Sequence, residues 1–455
     1  MDNKRWKEET RGSDKGNVFW VITANDLEAR LERKATYQWV SRIPGMHQLC
    51  YKSPFARLMN HMQDERPEAY EFWPKTYIVP LSPKTDTTAI FSKGPMIFKP
   101  DEGSQGDGIY LIMSKADWQR QMEVKPQDGV LQRYLGKPLL LDGQFKFDFR
   151  VYVLLLSLDP VRIFLCREGL VRACVEPYEP LSSRNKHKVS SHLTNYSLSK
   201  RERNYQHVDN PDCGKAGTKR TMSAVLANLH NEGVIDGPQC WSALREVVLN
   251  TTLAMADCLR GKLTTSSGAD VPTASSMWPV GPITPNQERT SFNILGLDVI
   301  LDVEQRWHLL EMNSNPSMEI DSVFPMEGPD KEDPPPLPEP GMPYHEVAGA
   351  SYAMMQRGRG GKHCKCMGHH RPHVHRPCLC DIVAKTAAVK GALKIAQRDM
   401  KAHKAGKSSR GAAHLAAGTE YEVVYSALWG EHMLGNLCYP SVRHWGLVMK
   451  GGSLA

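Results

Sequence analysis

The segment Phe145-Lys-Phe-Asp-Phe-Arg-Val-Tyr-Val153 is the clearest indication of the fold in this sequence. Its aromatic and β-branched residues predict a β-strand. Side chains alternate along a strand, so Lys146, Asp148 and Arg150 share one face and the phenylalanines take the other. The apolar run that follows, to residue 158, places this strand in the middle of a sheet. Three charges there are costly unless they pair or meet a ligand, which favours a binding face over a solvated face with one salt bridge.

Further strands and helices surround this segment and predict an α+β fold. Alternating or continuous apolar runs predict strands at residues 18–22, 96–98, 108–113, 130–134, 145–158, 161–166, 293–303 and 307–312. Apolar residues at helical spacing predict helices at 51–62, 220–231, 240–259 and 381–399. Ser, Thr, Gly and Pro mark a flexible loop at 261–289, and Pro334 to Pro340 form a proline-rich linker.

A glycine-rich loop separates two apolar strands in Met96-Ile-Phe-Lys-Pro-Asp-Glu-Gly-Ser-Gln-Gly-Asp-Gly-Ile-Tyr110. Glycines let backbone N–H groups approach phosphate oxygens, and Lys99 beside them would neutralise charge. The loop is not a Walker loop, which needs Gly-Lys-Ser/Thr opening a helix. It is not a Rossmann turn either, since a strand follows it. Taken alone, it fits a phosphate-binding loop or a plain glycine hairpin.

Acidic and amide side chains meet on the last two predicted strands, Gly296-Leu-Asp-Val-Ile-Leu-Asp302 and Trp307-His-Leu-Leu-Glu-Met-Asn313. Glu311 and Asn313 lie two residues apart and face the same way. If the strands pair, Asp298 can join them. Carboxylate and amide oxygens suit magnesium, which usually shares them with nucleotide phosphates. Each acid alone could be a surface residue, but together they predict a functional site.

The charge of the chain is unevenly distributed. The 455 residues carry a formal net charge of +7, but 357–410 hold fourteen Lys and Arg against two acids, 14 − 2 = +12, so the rest sums to 7 − 12 = −5. Such a basic tail suggests an anionic partner, or is simply solvated. It lacks the interleaved aromatics of a base-stacking surface, so no nucleic acid is expected. The longest apolar run is too short to cross a membrane, and no signal peptide is apparent, so we expect a cytoplasmic protein without membrane contact.

Nine cysteines and histidines crowd positions 363–380. In a reducing compartment, free thiols or a metal site are expected rather than disulfides. Zinc prefers such ligands. The Cys-x-Cys spacing is tighter than that of a usual zinc knuckle, so bound zinc and a solvated histidine-rich insertion both remain open.

Five segments in order resemble the tubulin–tyrosine-ligase-like family, and within it the polyglutamylase branch. They are Ile43-Pro-Gly-Met-His-Gln-Leu-Cys-Tyr-Lys, Phe72-Trp-Pro-Lys-Thr-Tyr-Ile-Val-Pro, Ser191-His-Leu-Thr-Asn-Tyr-Ser, Phe292-Asn-Ile-Leu-Gly-Leu-Asp and Leu310-Glu-Met-Asn-Ser-Asn-Pro-Ser. The resemblance runs from about residue 19 to 322. It implies an ATP-grasp-type ligase core with a small N-terminal α/β domain and a basic C-terminal extension.

By that resemblance, we expect four units. They are an N-terminal domain (1–92), a central lobe (93–200), a C-terminal lobe (201–325), and a segment with the linker, the Cys/His cluster and the basic extension (326–455). The same resemblance assigns roles to individual residues. ATP would meet Lys99, Gln105, Gly106, Gln132, Arg133, Tyr134, Leu135, Lys146, Asp148, Thr194 and Asn195. The incoming amino acid would meet Arg172, Tyr196, Ser197 and Lys219, and Mg²⁺ would meet Asp298, Glu311 and Asn313. Lys99, Arg150 and Glu311 would act in catalysis.

The resemblance implies an enzyme that uses ATP and Mg²⁺ to join free glutamate to glutamate side chains of tubulin tails, through an acyl phosphate. We expect a monomer that meets α/β-tubulin and microtubules in the cytoskeleton, including a cilium, flagellar basal body or axoneme. The residue near positions 329–330 departs from a family lysine, and the Asn-Ser-Asn-Pro spelling is similar to glycine-adding relatives. A glycine ligase therefore stays open, as does a catalytically inactive microtubule-binding protein. The helix at 381–399 could dock on microtubules or pack on the core.

Overall fold

A computed structural model describes residues 13–101, 108–195, 205–206, 208, 210–215, 217–261, 283–325, 373–405 and 412–426. The first part of the chain, up to residue 133, folds into a short parallel strand pair and a four-stranded sheet with helices. Its elements are β1 (Val18–Phe19), α1 (Ala24–Arg33), β2 (Trp39–Val40), α2 (Met46–Leu49), α3 (Lys52–Glu65), a 3-10 turn (Glu68–Tyr70), β3 (Thr76–Val79), α4 (Thr87–Ser92), β4 (Met96–Pro100), β5 (Tyr110–Ile112), α5 (Lys115–Val124) and β6 (Gly129–Arg133).

The second part builds a larger, mainly antiparallel sheet and the helices on its two faces. Its elements are β7 (Leu140–Leu141), β8 (Phe145–Leu158), β9 (Val161–Ala173), α6 (Val189–His192), β10 (Lys219–Thr221), α7 (Met222–Asn231), α8 (Gly237–Leu259), α9 (Pro285–Thr290), β11 (Asn293–Leu301), β12 (Trp307–Asn313), β13 (Asp321–Pro325), β14 (His373–Pro377), α10 (Leu379–Lys404), α11 (Ala412–Ala416) and β15 (Tyr421–Ser426). The expected mixture of helices and sheets is confirmed.

The large sheet has the order β10-β9-β8-β11-β12, with β15 added on β9 and β7 on β8. The strand predicted at 145–158 lies at its centre, as expected. On one face, Phe147, Phe149 and Val153 pack with α3, α7 and α8 in the main core. On the other face, Tyr152 and Leu154 pack beneath α10. The central strand is therefore buried on both faces, which explains its long apolar run.

The small sheet has the order β3-β6-β4-β5. One face packs against α4 and α5, where the Phe98 and Trp118 rings lie 5.7 Å apart. Ile97 lies on the opposite face, in a second apolar cluster with Leu111, Tyr134 and Leu193. Lys99, two residues along the same strand, donates to the Leu310 carbonyl of β12, so this second face is turned toward the large sheet.

Several predicted elements have different bounds in the structure. The strand predicted at 18–22 ends at Phe19, because Val21 N–H donates to Ser41 Oγ (2.9 Å) and Arg42 binds the Val21 carbonyl. The strand predicted at 161–166 continues to Ala173. Its interruption by Glu168 is tolerated, because this buried carboxylate accepts from Gly169 N–H (2.9 Å) and Ser223.

The segments after residue 260 are described in part. The predicted loop at 261–289 contains the short helix α9, whose Thr284 cap accepts from Gln287 N–H. The helix predicted at 381–399 is confirmed. It corresponds to α10, which is longer (Leu379–Lys404) and packs along the large sheet. Its predicted docking on microtubules stays a prediction. The linker at 334–340 lies outside the described residues. Among the helices of the described ranges, none has the length and apolarity to cross a lipid bilayer.

Replacement of Val153 by Ala should destabilise the protein by about 1.5 kcal/mol or more, because it removes two buried methyl groups and leaves a cavity in the main core. Val153 is 0% exposed at the centre of β8. The same substitution at Val303, which is 55% exposed, is the matched control and should change stability by less than about 0.5 kcal/mol. Thermal melts of both variants check this, and equal shifts would contradict the placement of β8.

Candidate active site

Charged side chains form two rows across one face of the large sheet. Residues directly opposite in antiparallel strands share a face. In the first row, Lys219 of β10 lies opposite Arg172 of β9, which lies opposite Asp148 of β8. In the second row, Arg150 of β8 lies opposite Asp298 of β11, which lies opposite Glu311 of β12. The pairing thus brings together residues that are up to 163 positions apart in sequence.

Arg172 joins the two rows. Its guanidinium binds Asp148 at 2.5 Å and Asp298 at 2.9 Å. Both carboxylates are almost fully buried, and the Arg172 side chain is 14% exposed. The Thr194 hydroxyl also donates a hydrogen bond to Asp148 Oδ2, at 2.7 Å. Charge-assisted bidentate pairs of this kind are strong and fix the orientation of both partners. The residue predicted to hold the amino acid therefore also holds two carboxylates in place.

Arg150 forms a second bidentate pair, with Asp298. The arginine reaches this carboxylate across Gly296, where an added Cβ would lie 3.0 Å from Arg150 Cδ and 2.9 Å from Pro316 Cβ. Glycine is required here because the two side chains approach the backbone closely. Burial would raise the pKa of Asp298, but Arg150 and Arg172 hold it well below its usual range.

The half-buried Glu311 and the buried Asp298 form a pair of carboxylates. Burial and the adjacent charge of Asp298 raise the pKa of Glu311. Asn313 Nδ2 donates to Glu311 Oε1 at 3.2 Å, so the three predicted magnesium ligands lie together. Within the described ranges, no group of three or more His, Cys, Asp or Glu is arranged to hold a metal. Two carboxylates that repel each other beside an amide nevertheless fit Mg²⁺, which takes one or two protein carboxylates and completes its shell with phosphate oxygens.

Lys99 reaches from the small sheet to the large one. Its ammonium donates to Gln132 Oε1 at 2.8 Å and to the Leu310 carbonyl of β12 at 3.0 Å. Burial lowers the pKa of Lys99 to about 8. The contact with Leu310 places Lys99 in the cleft between the two sheets, next to Glu311. An anion bound in this cleft would stabilise the charged form of the lysine.

Lys146, on β8 of the large sheet, lies over the ring of Tyr134. Its ammonium donates to Tyr134 Oη at 3.1 Å and lies 4.2 Å from the ring centre. Tyr134 Oη in turn contacts His192 Nδ1 at 2.9 Å. Burial lowers the pKa of Lys146 to about 8 and that of His192 to about 4. His192 is therefore neutral near pH 7, which leaves Lys146 as the cation of this group.

Other predicted nucleotide contacts have different surroundings. The Arg133 side chain donates to the Ile90 and Gly94 carbonyls and so fixes the edge of the small sheet. Leu135 and Asn195 are half-buried. Their predicted contacts with ATP stay predictions. Gln105, Gly106, Tyr196, Ser197 and most of the Cys/His cluster lie outside the described residues.

Lys219 lies at the far end of the first row, and its ammonium binds Asp381 of α10 at 2.6 Å. Asp381 also binds Lys385 at 2.8 Å. The sequence interpretation missed both α10 residues as parts of the site. The available signal was an acid and a base four positions apart within the apolar start of this helix.

Arg42 is another residue that the sequence interpretation missed. It is 8% exposed and donates to the Ser314 carbonyl at 2.9 Å and to the Val21 carbonyl at 3.1 Å. Asn293 Nδ2 binds the same Ser314 carbonyl at 2.8 Å. These contacts hold the end of β12, and with it Asn313, against the N-terminal segment. Nothing in the sequence around Arg42 indicated that this arginine would bind the Ser314 carbonyl, 272 positions away.

Glu311→Gln should remove most of the thermal stabilisation that Mg²⁺ and a non-hydrolysable ATP analogue give to the wild-type protein. Ligand at a hundred times its Kd stabilises a fold by about 2.7 kcal/mol, and the variant lacks a carboxylate that would bind the ion. Glu304→Gln, in the β11–β12 turn with a 62% exposed side chain, is the control and should keep the full shift. Equal shifts in all three proteins would contradict the metal assignment.

Comparison with known proteins agrees with the sequence interpretation. Residues 29–325 match the sequence model of the tubulin-tyrosine ligase family. The chain is 37% identical over 290 residues to the human tubulin polyglutamylase TTLL11, covering 62% of this chain and 38% of that protein. It is 32% identical over 321 residues to zebrafish tubulin polyglutamylase ttll6, covering 70% and 37%.

A third relative is a probable beta-tubulin polyglutamylase of Tetrahymena thermophila, 33% identical over 312 residues, which cover 67% of this chain and 24% of that protein. The match therefore spans well under half the length of each of these curated relatives. The family match includes the small sheet, the large sheet except β15, both rows of charges and the Glu311 pair. From residue 29 to residue 325, this chain belongs to the tubulin-tyrosine ligase family.

Proposed function

We propose that this protein is an ATP-dependent ligase that joins free glutamate to glutamate side chains in the acidic tails of tubulin. The observation that carries the proposal is the pair of charged rows, which line the cleft between two sheets with buried cations and carboxylates. An ATP-grasp arrangement, with the nucleotide between the sheets, fits this cleft. Family membership and relatives named polyglutamylases support the same reaction.

The proposed reaction has two steps. An oxygen of the acceptor carboxylate attacks the γ-phosphorus of ATP, ADP leaves, and an acyl phosphate forms. The amino group of the donor, after loss of a proton, then attacks the acyl carbon, so that an amide forms and inorganic phosphate leaves. No protein nucleophile is needed, and the contribution of the protein is positioning and charge neutralisation.

The residues of the cleft suit this task. Lys99 and Lys146 are buried cations on the two sides of the cleft and would bind phosphate oxygens. Asp298, Glu311 and Asn313 would hold Mg²⁺, which supplies charge neutralisation at the phosphates when bound. Arg150 keeps Asp298 ionised and oriented. Arg172 would hold the donor near Asp148, and Thr194 fixes that carboxylate for the nucleotide.

The partners follow from the same chemistry. Tubulin tails are strongly acidic, and the basic segment at 357–410 would attract them over long range. On α10, Lys390 and Lys394 are half-buried while Lys401 is exposed, so these lysines remain candidates for docking on microtubules. We accordingly propose the cytoskeleton as the place of action.

Purified protein should incorporate labelled glutamate into tubulin in the presence of ATP and Mg²⁺, and much less glycine. Tubulin whose acidic tails have been removed by proteolysis should accept neither. Glu311→Gln should lower the rate about a hundredfold or more, since loss of several kcal/mol of charge stabilisation has this effect. The control Glu304→Gln should keep its activity. Preferred glycine incorporation would identify a glycine ligase, and no incorporation with intact nucleotide binding would indicate an inactive binding protein.

Arg172→Ala should raise the KM for ATP as well as the KM for the amino acid, and should lower the melting temperature. The reason is that Asp148 and Asp298 both lose a buried partner, and breaking such a pair costs about 3–5 kcal/mol. Arg172→Lys should recover part of the stability but not the bidentate geometry. Steady-state kinetics and melts check this. A change confined to the amino acid KM would mean that Arg172 does not organise the carboxylates.

A further inference from the structure

A loop between Tyr178 and His192 has both of its ends at the cleft. The two aromatic rings at these ends lie at 88° to each other with their centres 5.8 Å apart. The Lys146 ammonium lies 5.9 Å from the centre of the Tyr178 ring. Within the loop, Leu181 packs against the apolar cluster on the cleft face of the small sheet. We call residues 180–191 the rim loop, because it begins and ends beside a buried cation of the candidate active site.

The rim loop is held in one shape by its own hydrogen bonds and by an ion pair to the small sheet. Asn185 is 4% exposed, and its side chain accepts from Ser182 N–H (2.7 Å) and donates to the Pro180 carbonyl (3.0 Å). Lys186 binds Asp117 at the start of α5 at 2.8 Å, and both side chains are mostly buried. A loop fixed in this way loses little backbone freedom when it binds a ligand.

The rim loop carries positive charge in a part of the chain that is otherwise net negative. It holds Arg184, Lys186 and Lys188 and no acid, and with Glu179, which immediately precedes it, the sum is 3 − 1 = +2. The chain outside its basic tail sums to −5. Arg184 and Lys188 are exposed, and among the contacts of the described residues neither side chain has a hydrogen bond or an ion pair. Two cations are therefore free to meet an anion at the edge of the cleft.

We propose that the rim loop is a docking surface for the acidic residues that flank the acceptor glutamate, with Arg184 and Lys188 as its contacts. This inference rests on the proposed ligase function. A flexible acidic peptide offers little shape to recognise, so cations fixed beside the cleft would speed its encounter and guide its entry. Because the rim loop adjoins the candidate active site, it would act on short peptides as well as on whole tubulin.

Binding of a fluorescent octaglutamate peptide to the full chain should be measured by anisotropy, with Mg²⁺ and a non-hydrolysable ATP analogue present. The double variant Arg184→Glu/Lys188→Glu should bind about fivefold or more weakly at low salt, because two attractive contacts become repulsive. The loss should shrink at physiological ionic strength, where exposed charges are screened within about 8 Å. Arg184→Lys/Lys188→Arg should keep the wild-type affinity, because both charges remain. An octaglutamine peptide should bind weakly to all three proteins.

Lys84→Glu/Lys93→Glu is the matched control, with the same change in net charge. Both lysines are exposed and lie on either side of α4, which covers the face of the small sheet away from the cleft. This control should change the affinity for octaglutamate less than about twofold, and exposed substitutions of this kind should leave the melting temperatures unchanged. The inference is overturned if the rim variant folds and binds octaglutamate as the wild type does, or if the control weakens binding equally. It is also overturned if the rim variant loses affinity for a polyuridylate oligomer but not for the peptide, which would assign the rim loop to nucleic acid.

A ligation assay with the same peptide, run in parallel, separates the docking role from the ligase function. Incorporation of labelled glutamate by the rim variant with an unchanged KM for octaglutamate would overturn the docking role and leave the ligase function standing. Binding of octaglutamate that depends on Arg184 and Lys188, without any incorporation by the wild-type protein into the peptide or tubulin, would support the docking surface and argue against the ligase function.

Discussion

The site depends on one arginine placed between two buried carboxylates. Arg172 binds Asp148 and Asp298, which belong to different strands, and thereby fixes the spacing of β8, β9 and β11 on their charged face. Two carboxylates brought this close in a dry interior would otherwise repel each other and take up protons. With Arg150 as a second partner, Asp298 stays ionised beside Glu311. This arrangement places two carboxylates at one edge of the charged face, next to the buried cations Lys99 and Lys146, which suits the proposed binding of Mg²⁺ and phosphate.

The long central strand gives this arrangement its rigid support. Along one face of β8, the charged residues up to Arg150 are followed by Tyr152, Leu154 and Leu156, which are almost fully buried. α10 covers the apolar half of this face of β8. Asp381, in the first turn of α10, lies at the border with the charged half, where it binds Lys219. The opposite face of β8 is apolar throughout and joins the main core. The charged side chains therefore stand on a strand that cannot tilt or slip without opening two cores.

The small sheet closes the cleft through few but specific contacts. Lys99 crosses to the carbonyl of Leu310, and the apolar cluster of Ile97, Leu111, Tyr134 and Leu193 lies beside it. An apolar patch next to buried ammonium groups suits a ligand with a flat apolar end and an anionic end, as a nucleotide has. Lys219 and its partner Asp381 lie at the other end of the first row from Asp148.

Much of this organisation follows from local sequence. The alternation in 145–158 placed Lys146, Asp148 and Arg150 on one face and predicted a central strand, because strand periodicity is set by the backbone alone. The pairing of Asp298 with Glu311 could be expected from two apolar strands joined by a short turn. The tertiary structure alone decided the partners of these charges. Arg172 turned out to bridge two carboxylates, and Asp381 reached Lys219 across 162 positions, because contacts between distant segments depend on strand order and helix placement, which no local pattern encodes.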